Sequence, residues 1–164
     1  MEQSSVTIVP YQPSYRTAFK ALNEEWIRAY FEMEEADHKA LDHPEEYILA
    51  KGGKIIVALH ENEPVGVCAL LKMEHPEFDY EMAKMAVAPK LQGKKIGWLL
   101  GQHIISIAKE LGAKTVYLES NTRLVPAIKM YYKMGFQKLH GYTSPYKRSD
   151  IQMKLDLFKA TTLQ

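Results

Sequence analysis

One segment most constrains what this chain can fold into: a strand, then a basic turn that contains glycine, then a helix. The apolar residues 85–87 are followed by Pro89, the turn occupies residues 92–95, and an apolar helical pattern begins at Ile96. A helix N-terminus has backbone N–H groups without intrahelical partners, and glycine lets a ligand approach the main chain closely. With two lysines in the turn, the pattern predicts a phosphate site at residues 92–98. A helix start with a solvated charge pair is the plainer alternative.

Apolar periodicity predicts the remaining elements. Alternating or β-branched apolar runs predict strands at 6–9, 54–60, 65–72, 80–87, 115–118, 136–139 and 151–157. Helical spacing predicts helices at 13–30, 44–51, 96–111 and 126–134, the third with an apolar face that includes Leu99 and Leu111. The acidic segment 32–37 lacks periodicity, and we interpret it as the end of a helix and a solvated loop.

The order of these elements predicts the fold class. The strand–helix–strand step around residues 80–118 requires parallel pairing, whereas residues 54–72 resemble an antiparallel hairpin. We therefore expect an α/β fold with a central, twisted, mixed sheet of about six or seven strands flanked by about four helices. The length of 164 residues suits one domain over 1–164.

Composition narrows the class of protein. A net charge of +1 gives no reason to expect nucleic acid or a membrane surface as a partner. No apolar run reaches the ~20 residues that a membrane span needs, and no signal peptide is visible, so we expect a cytoplasmic protein. The single cysteine, Cys68, lies in an apolar run, so we expect a buried apolar side chain. The six histidines show no metal-ligand spacing, so we expect no metal.

Two segments together resemble the GNAT superfamily of N-acetyltransferases. Residues 92–97 are similar to its acetyl-CoA motif, Q/R-x-x-G-x-G/A, with Gln92 in the first place and Gly97 in the last. Residues 127–136 resemble its A-x-x-x-Y-x-x-x-G-F segment, in the family's order and at about its distance. The resemblance extends over about residues 6–157 and implies a GNAT-like acyl-CoA N-acyltransferase fold.

Lys95 departs from the first motif, since it stands where the pattern has its middle glycine. A lysine does not easily adopt positive φ, and its bulk would crowd a pyrophosphate. Its ammonium could instead pair with a phosphate oxygen. We therefore expect Lys95 to affect the tightness of cofactor binding and not the fold.

The resemblance implies that acetyl-CoA, a cosubstrate, enters a V between parallel strands at 81–87 and 115–119. The pantetheine arm would pair with the first strand, and the pyrophosphate would lie on the basic turn. Asn121 would either hydrogen-bond the pantetheine or cap the next helix. The implied cofactor-binding residues are Met85, Ala86, Val87, Gln92, Gly93, Lys94, Lys95, Ile96, Gly97, Trp98, Asn121 and Tyr131.

The resemblance also implies two catalytic residues. Tyr131 stands in the place of the family's tyrosine that faces the cofactor sulfur, which implies a general acid; a packed aromatic is the alternative. Glu81 resembles the glutamate base of the histone-acetylating branch, and burial in an apolar strand would raise its pKa toward neutrality. The alternatives are a carboxylate that is exposed to solvent or paired with Lys84 or a nearby arginine, and removal of the amine proton by water. We expect Glu119 at the surface or in a salt bridge, with a second polar group of the cleft as the alternative.

The implied function is transfer of the acetyl group of acetyl-CoA to a primary amine by direct attack in a ternary complex. The amine could belong to a small molecule or a peptide, and a homodimer is left open. Acidic residues at 32–37 would favour a cationic amine if they line the acceptor pocket. One alternative is a non-catalytic acyl-CoA-binding or sensing domain of the same fold, and a second is an unrelated nucleotide-binding module.

Overall fold

The computed structural model describes residues 5–157, which form one seven-stranded sheet with helices on both faces. The strands are β1 Val6–Pro10, β2 Lys54–His60, β3 Glu63–Lys72, β4 Tyr80–Val87, β5 Thr115–Ser120, β6 Gln137–Lys138 and β7 Ile151–Asp156. The helices are α1 Arg16–Tyr30, α2 Glu35–Asp42, α3 Ile96–Glu110 and α4 Val125–Met134, with short helical turns at Pro13–Tyr15, Glu45–Leu49 and Pro89–Leu91. The predicted mixed α/β fold is confirmed.

The strand order is β1-β2-β3-β4-β5-β7-β6, and all neighbouring pairs are antiparallel except β4 and β5. This parallel pair is joined at only two positions, Tyr80 opposite Val116 and Glu81 opposite Tyr117. Beyond them β4 stays paired with β3 and β5 with β7, but the two strands no longer pair with each other. The sheet therefore opens into a V between β4 and β5, as the resemblance implies.

A β-bulge interrupts β4 on the edge of this V. The register between β3 and β4 shifts around Cys68, and Lys84 on the opposing strand takes a φ of 56°. A bulge inserts one extra residue and redirects its side chain. The Lys84 ammonium accordingly reaches Asp37 of α2, 2.8 Å from its Oδ1.

Two hydrophobic cores lie on opposite faces of the sheet. One packs α3 and α4 against the sheet, and the other packs α1 and α2 against its other face. The buried face of α3 follows Ile96, Leu100, Ile104 and Ala108. Leu99 and Leu111, which we assigned to that face, are 43% and 42% exposed, because their positions rotate away from the sheet. Cys68 is fully buried, as predicted.

The expectation of a solvated loop at residues 32–37 is confirmed only in part: residues 32–34 form a loop, whereas residues 35–37 begin α2 and Asp37 is buried. Glu34 is the N-cap of α2, its side chain accepts the Asp37 backbone N–H, and the Asp37 carboxylate in turn accepts the Glu34 backbone N–H. Asp37 has no solvent-exposed surface. Its burial depends on two cations that lie far away in sequence.

Among residues 5–157, no helix combines the length and the apolar character that a membrane span requires.

Candidate functional site

Two adjoining cavities lie at the V. The outer cleft has a volume of about 510 Å³ and borders the start of α3. The inner chamber has a volume of about 140 Å³ and lies between the sheet and α1. Both cavities are lined by Trp26, Met85, Leu124, Ala127 and Tyr131.

The outer cleft brings together most of the residues that the resemblance assigns to the cofactor. Lys94 lines neither cavity. Asn121 lines the inner chamber instead, where its Nδ2 donates to the Arg148 carbonyl and its Oδ1 accepts the Arg123 N–H. The predicted cofactor residues that line the outer cleft are Met85, Ala86, Val87, Gln92, Gly93, Lys95, Ile96, Gly97, Trp98 and Tyr131.

The basic turn keeps a glycine-like conformation although it carries lysine. Lys95 is the N-cap of α3 with a φ of 65°, and among residues 5–157 no side-chain hydrogen bond caps the N-terminus of this helix. The first-turn N–H groups of α3 therefore have no intrahelical acceptor. Gly93 has a φ of 84°, and no atom lies within 4 Å of the place a β-carbon would take. The Gln92 amide donates to the Val87 carbonyl over 3.3 Å, which ties the turn to the end of β4.

Tyr131 lies where the outer cleft meets the inner chamber. Its ring packs edge-on against Phe136, with centroids 6.1 Å apart, and its role as an acid stays a prediction. Burial raises the pKa of the Tyr131 phenol above its ordinary value, and the Cys68 thiol adds to the effect. The phenol consequently stays protonated at neutral pH.

Glu81 belongs to the last joined pair of β4 and β5 and lines the inner chamber. Burial raises its pKa to about 8, the Glu119 carboxylate adds to this, and Lys84 opposes it. In the part of the chain that the structure describes, no hydrogen bond contributes to this pKa. The Glu81 carboxyl is therefore available to a ligand, and it changes charge near neutral pH.

Glu119 lies on the chamber wall and not at the surface, which corrects our expectation. Its Oε2 accepts the Tyr117 hydroxyl over 2.7 Å, and its Oε1 accepts the Ser144 hydroxyl. Burial and this hydrogen bond to Glu119 raise the pKa of Tyr117. Glu119 is thus a fixed carboxylate, whereas Glu81 is an unengaged one.

Lys84, Tyr146 and Arg148 line one wall of the chamber, and Lys84 and Arg148 bind the buried carboxylate of Asp37; we call these four residues the Asp37 cluster. The Arg148 guanidinium donates to both Asp37 oxygens over 2.7 Å, and the Lys84 ammonium donates to Asp37 Oδ1 over 2.8 Å. The Tyr146 ring centroid lies 5.0 Å from Lys84 Nζ and 4.5 Å from Arg148 Cζ. Burial alone would raise the pKa of Asp37, but the bonds from Arg148 and Lys84 outweigh it and hold that pKa well below its usual range.

Sequence reasoning missed this cluster. A lysine within the apolar strand 80–87 was the available signal for Lys84, but nothing in the sequence pairs it with Asp37. No local pattern identified Trp26 as lining both cavities, or Arg123, whose guanidinium carbon lies 4.7 Å from the Phe31 ring centroid. Within residues 5–157, no three His, Cys, Asp or Glu side chains are placed to hold a metal ion, and the expectation of a metal-free site stays a prediction.

Comparison with known proteins gives consistent matches. Residues 19–136 match the sequence model described as the acetyltransferase (GNAT) family. An uncharacterised N-acetyltransferase of Schizosaccharomyces pombe is 30% identical over 79 residues, which cover 48% of each chain. The chain spans about half the length of the curated relatives it matches.

Solved structures share the fold. A GNAT-family acetyltransferase from Staphylococcus aureus superposes with a TM-score of 0.81 at 20% identity, covering 94% of this chain and 100% of that one. A Salmonella typhimurium protein solved with its cofactor acetyl-CoA gives a TM-score of 0.72 at 17% identity, covering 98% of this chain and 99% of that one. At these identities the likeness concerns the fold alone.

Proposed function

Because the chain belongs to the acetyltransferase (GNAT) family, we propose that it transfers the acetyl group of acetyl-CoA to a primary amine. The observation that carries the proposal is the position of Tyr131 at the junction of the two cavities, with the unengaged Glu81 carboxyl in the inner one. An acid at the junction and a base in the chamber are the two proton-transfer groups that the reaction needs.

The cofactor would occupy the outer cleft. The pantetheine arm would lie along residues 85–87, whose strand has lost its β5 partner, and would pair with the main chain like an added strand. The pyrophosphate would lie on residues 92–98, where the uncapped α3 N-terminus offers N–H donors and a positive dipole end. This arrangement brings the thioester to the junction beside Tyr131.

The amine would enter the chamber as an ammonium and lose one proton to the Glu81 carboxylate, directly or through water. Its nitrogen then attacks the thioester carbonyl carbon, so a C–N bond forms while acetyl-CoA and amine share the site. The tetrahedral intermediate collapses as the C–S bond breaks, and the departing sulfur takes the Tyr131 hydroxyl proton. The amide nitrogen loses its second proton, which restores Tyr131, and Glu81 releases its proton to solvent. The products are the acetamide, the CoA thiol and one proton.

Two measurements on the folded chain test the proposal. Titration calorimetry with CoA and acetyl-CoA should detect binding, and a thiol reagent should detect CoA release from acetyl-CoA that depends on an added primary amine. Binding with no amine-dependent release would support the non-catalytic sensing alternative. Absence of binding by either form of the cofactor would contradict both functions.

A further inference from the structure

We propose that the acceptor is an unbranched aminoalkyl chain whose reacting amine has no carboxylate nearby. This inference rests on the proposed function and names the substrate class of the same chamber. A free diamine and a lysine side chain share this chemistry.

The charges of the chamber favour a cation. Glu81 and Glu119 both line it, and Glu119 contributes to the raised pKa of Glu81. The Glu119 carboxyl group is held in position by hydrogen bonds from Tyr117 and Ser144. An ammonium that enters the chamber therefore meets two carboxyl groups at the position where it must lose its proton.

The cations of the chamber are already engaged. Arg148 places both terminal nitrogens on the two oxygens of Asp37, and Glu34 Oε2 lies 3.6 Å from Nη1. Lys84 donates to Asp37 and to the Tyr146 hydroxyl over 2.8 and 3.1 Å, and its side chain is 5% exposed. Recognition of a carboxylate by arginine is frequently bidentate. Both cations on this wall already share the Asp37 carboxylate, so a substrate carboxylate would have to compete with Asp37 for them.

The size and walls of the chamber favour a thin chain. Its volume of about 140 Å³ is close to that of an engineered protein cavity of ~150 Å³ that holds one benzene, so about six heavy atoms fit. Trp26, Phe31 and Tyr146 line it with aromatic rings, against which the methylene groups of a substrate can pack. A short alkylammonium arm therefore fits both the volume and the lining of the chamber.

Matched amine pairs test the inference. We would compare kcat/KM for 3-aminopropanamide and 3-aminopropanoate, which have nearly the same shape and differ by one carboxylate. We expect the amide to be acetylated at least tenfold more efficiently. Equal or better use of the acid would overturn the inference while leaving the proposed function intact. No thiol release with any amine, despite cofactor binding, would contradict the proposed function itself.

A second comparison distinguishes a free diamine from a lysine side chain as the source of the aminoalkyl group. We would measure 1,5-diaminopentane against lysine blocked at its α-amine and carboxyl groups. Faster use of the diamine would indicate a small-molecule acceptor, and faster use of the blocked lysine would indicate a peptide. Use of neither, while a bulky amine is acetylated, would overturn the inference.

Changing the Asp37 cluster should change the specificity. Asp37→Asn removes the charge that engages Arg148 and Lys84, so we expect the preference for amide over acid to fall at least tenfold. Glu45→Gln is the matched control, because it removes a carboxylate bound to Arg16 outside the chamber and should leave the preference unchanged.

Glu119→Gln gives an independent readout: KM for 1,5-diaminopentane should rise about tenfold while KM for acetyl-CoA stays the same. An unchanged preference in a folded Asp37→Asn variant, together with an unchanged KM in Glu119→Gln, would contradict the inference.

Discussion

The outer cleft and the inner chamber are built from different kinds of groups. The outer cleft takes its proposed binding groups from the main chain of one continuous segment, residues 85–98, and a side chain there matters chiefly through the backbone conformation that it permits. The inner chamber is built from side chains on α1, β4, β5 and the segment 144–149, held by charges that neutralise one another. A substitution in the cleft should therefore change cofactor binding only by degrees. Loss of one charged side chain of the Asp37 cluster, in contrast, leaves its partner without a counter-charge.

Two lysines with positive φ make this difference concrete. Lys95 in the turn has a φ of 65° and is exposed, and Lys84 in the bulge has a φ of 56° and an almost fully buried side chain. Both occupy a conformation that glycine adopts with less strain. Only Lys84 has side-chain partners that would be lost with it. The same backbone geometry thus serves a ligand site in one place and a buried ionic cluster in the other.

The largest effect should come from Glu81→Gln. Loss of a general base lowers turnover by about 10²–10⁴-fold. The wild-type rate should rise with pH through about 8, because Glu81 is raised to a pKa of about 8 by burial and Glu119 and accepts a proton only when ionised. The measurement is kcat/KM against pH for both proteins. A variant with the wild-type rate and profile would identify water as the base.

Protein stability gives an independent check on the same residue. Glu81 has a folded-state pKa of about 8, above its unfolded value, so its contribution to stability is fully present below that lower value and is lost as pH rises through about 8. Glutamine does not titrate. Glu81→Gln should therefore unfold at a higher temperature than the wild type at pH 9, and the difference should shrink at pH 5. A difference that does not depend on pH would contradict the raised pKa.

Asp37→Ala should cause the largest loss of stability. It leaves Lys84 and Arg148 without their shared counter-charge, and breaking a buried ion pair in this way costs about 3–5 kcal/mol. Urea unfolding measures the change. Asp42→Ala is the matched control on the same helix, because Asp42 pairs with the half-exposed Lys20, and a much smaller loss is expected. Equal losses in the two variants would show that the Asp37 cluster stabilises the fold no more than an exposed ion pair does.

The pH dependence of this cluster has the opposite sign to that of Glu81. Asp37 has a folded-state pKa well below its ordinary value, so the stability it contributes is present above that ordinary value and is lost as pH falls through the folded pKa. Wild-type unfolding should therefore approach that of Asp37→Ala only in strong acid.

The difference between the two regions also explains what the sequence could predict. The order of strands and helices and the basic turn follow from local periodicity and from a contiguous motif, so both were accessible. The Asp37 cluster depends on residues separated by up to 111 positions, and a bulge that no local pattern marks redirects Lys84. Asp37 in an acidic, aperiodic segment resembles a solvated residue until its partners are known. Glu119 was misplaced for the same reason, because Ser144 lies in a distant segment.

Tyr131→Phe distinguishes a role of Tyr131 in proton transfer from a role in cofactor binding. It removes the proton donor but keeps the ring that packs against Phe136, so turnover should fall by about 10²-fold with little change in CoA affinity. Steady-state kinetics and calorimetry measure the two quantities. A parallel loss of CoA affinity would assign Tyr131 to cofactor binding and would contradict the acid role.

The smallest effect should come from Lys95→Gly. Relief of the left-handed conformation is worth about 1 kcal/mol, which raises the melting temperature by about 2–4 °C in a chain of this size. CoA affinity should be retained, because the proposed pyrophosphate site uses main-chain donors; Lys95→Asn, which tolerates the same φ without the charge, is the control. If both variants weaken CoA binding equally, the ammonium contacts a phosphate.

Lys84→Gly relieves the same backbone strain but removes a cation of the Asp37 cluster. It should therefore lower the free energy of unfolding, whereas Lys95→Gly should raise it. Changes of the same sign in the two variants would remove the distinction between the two regions.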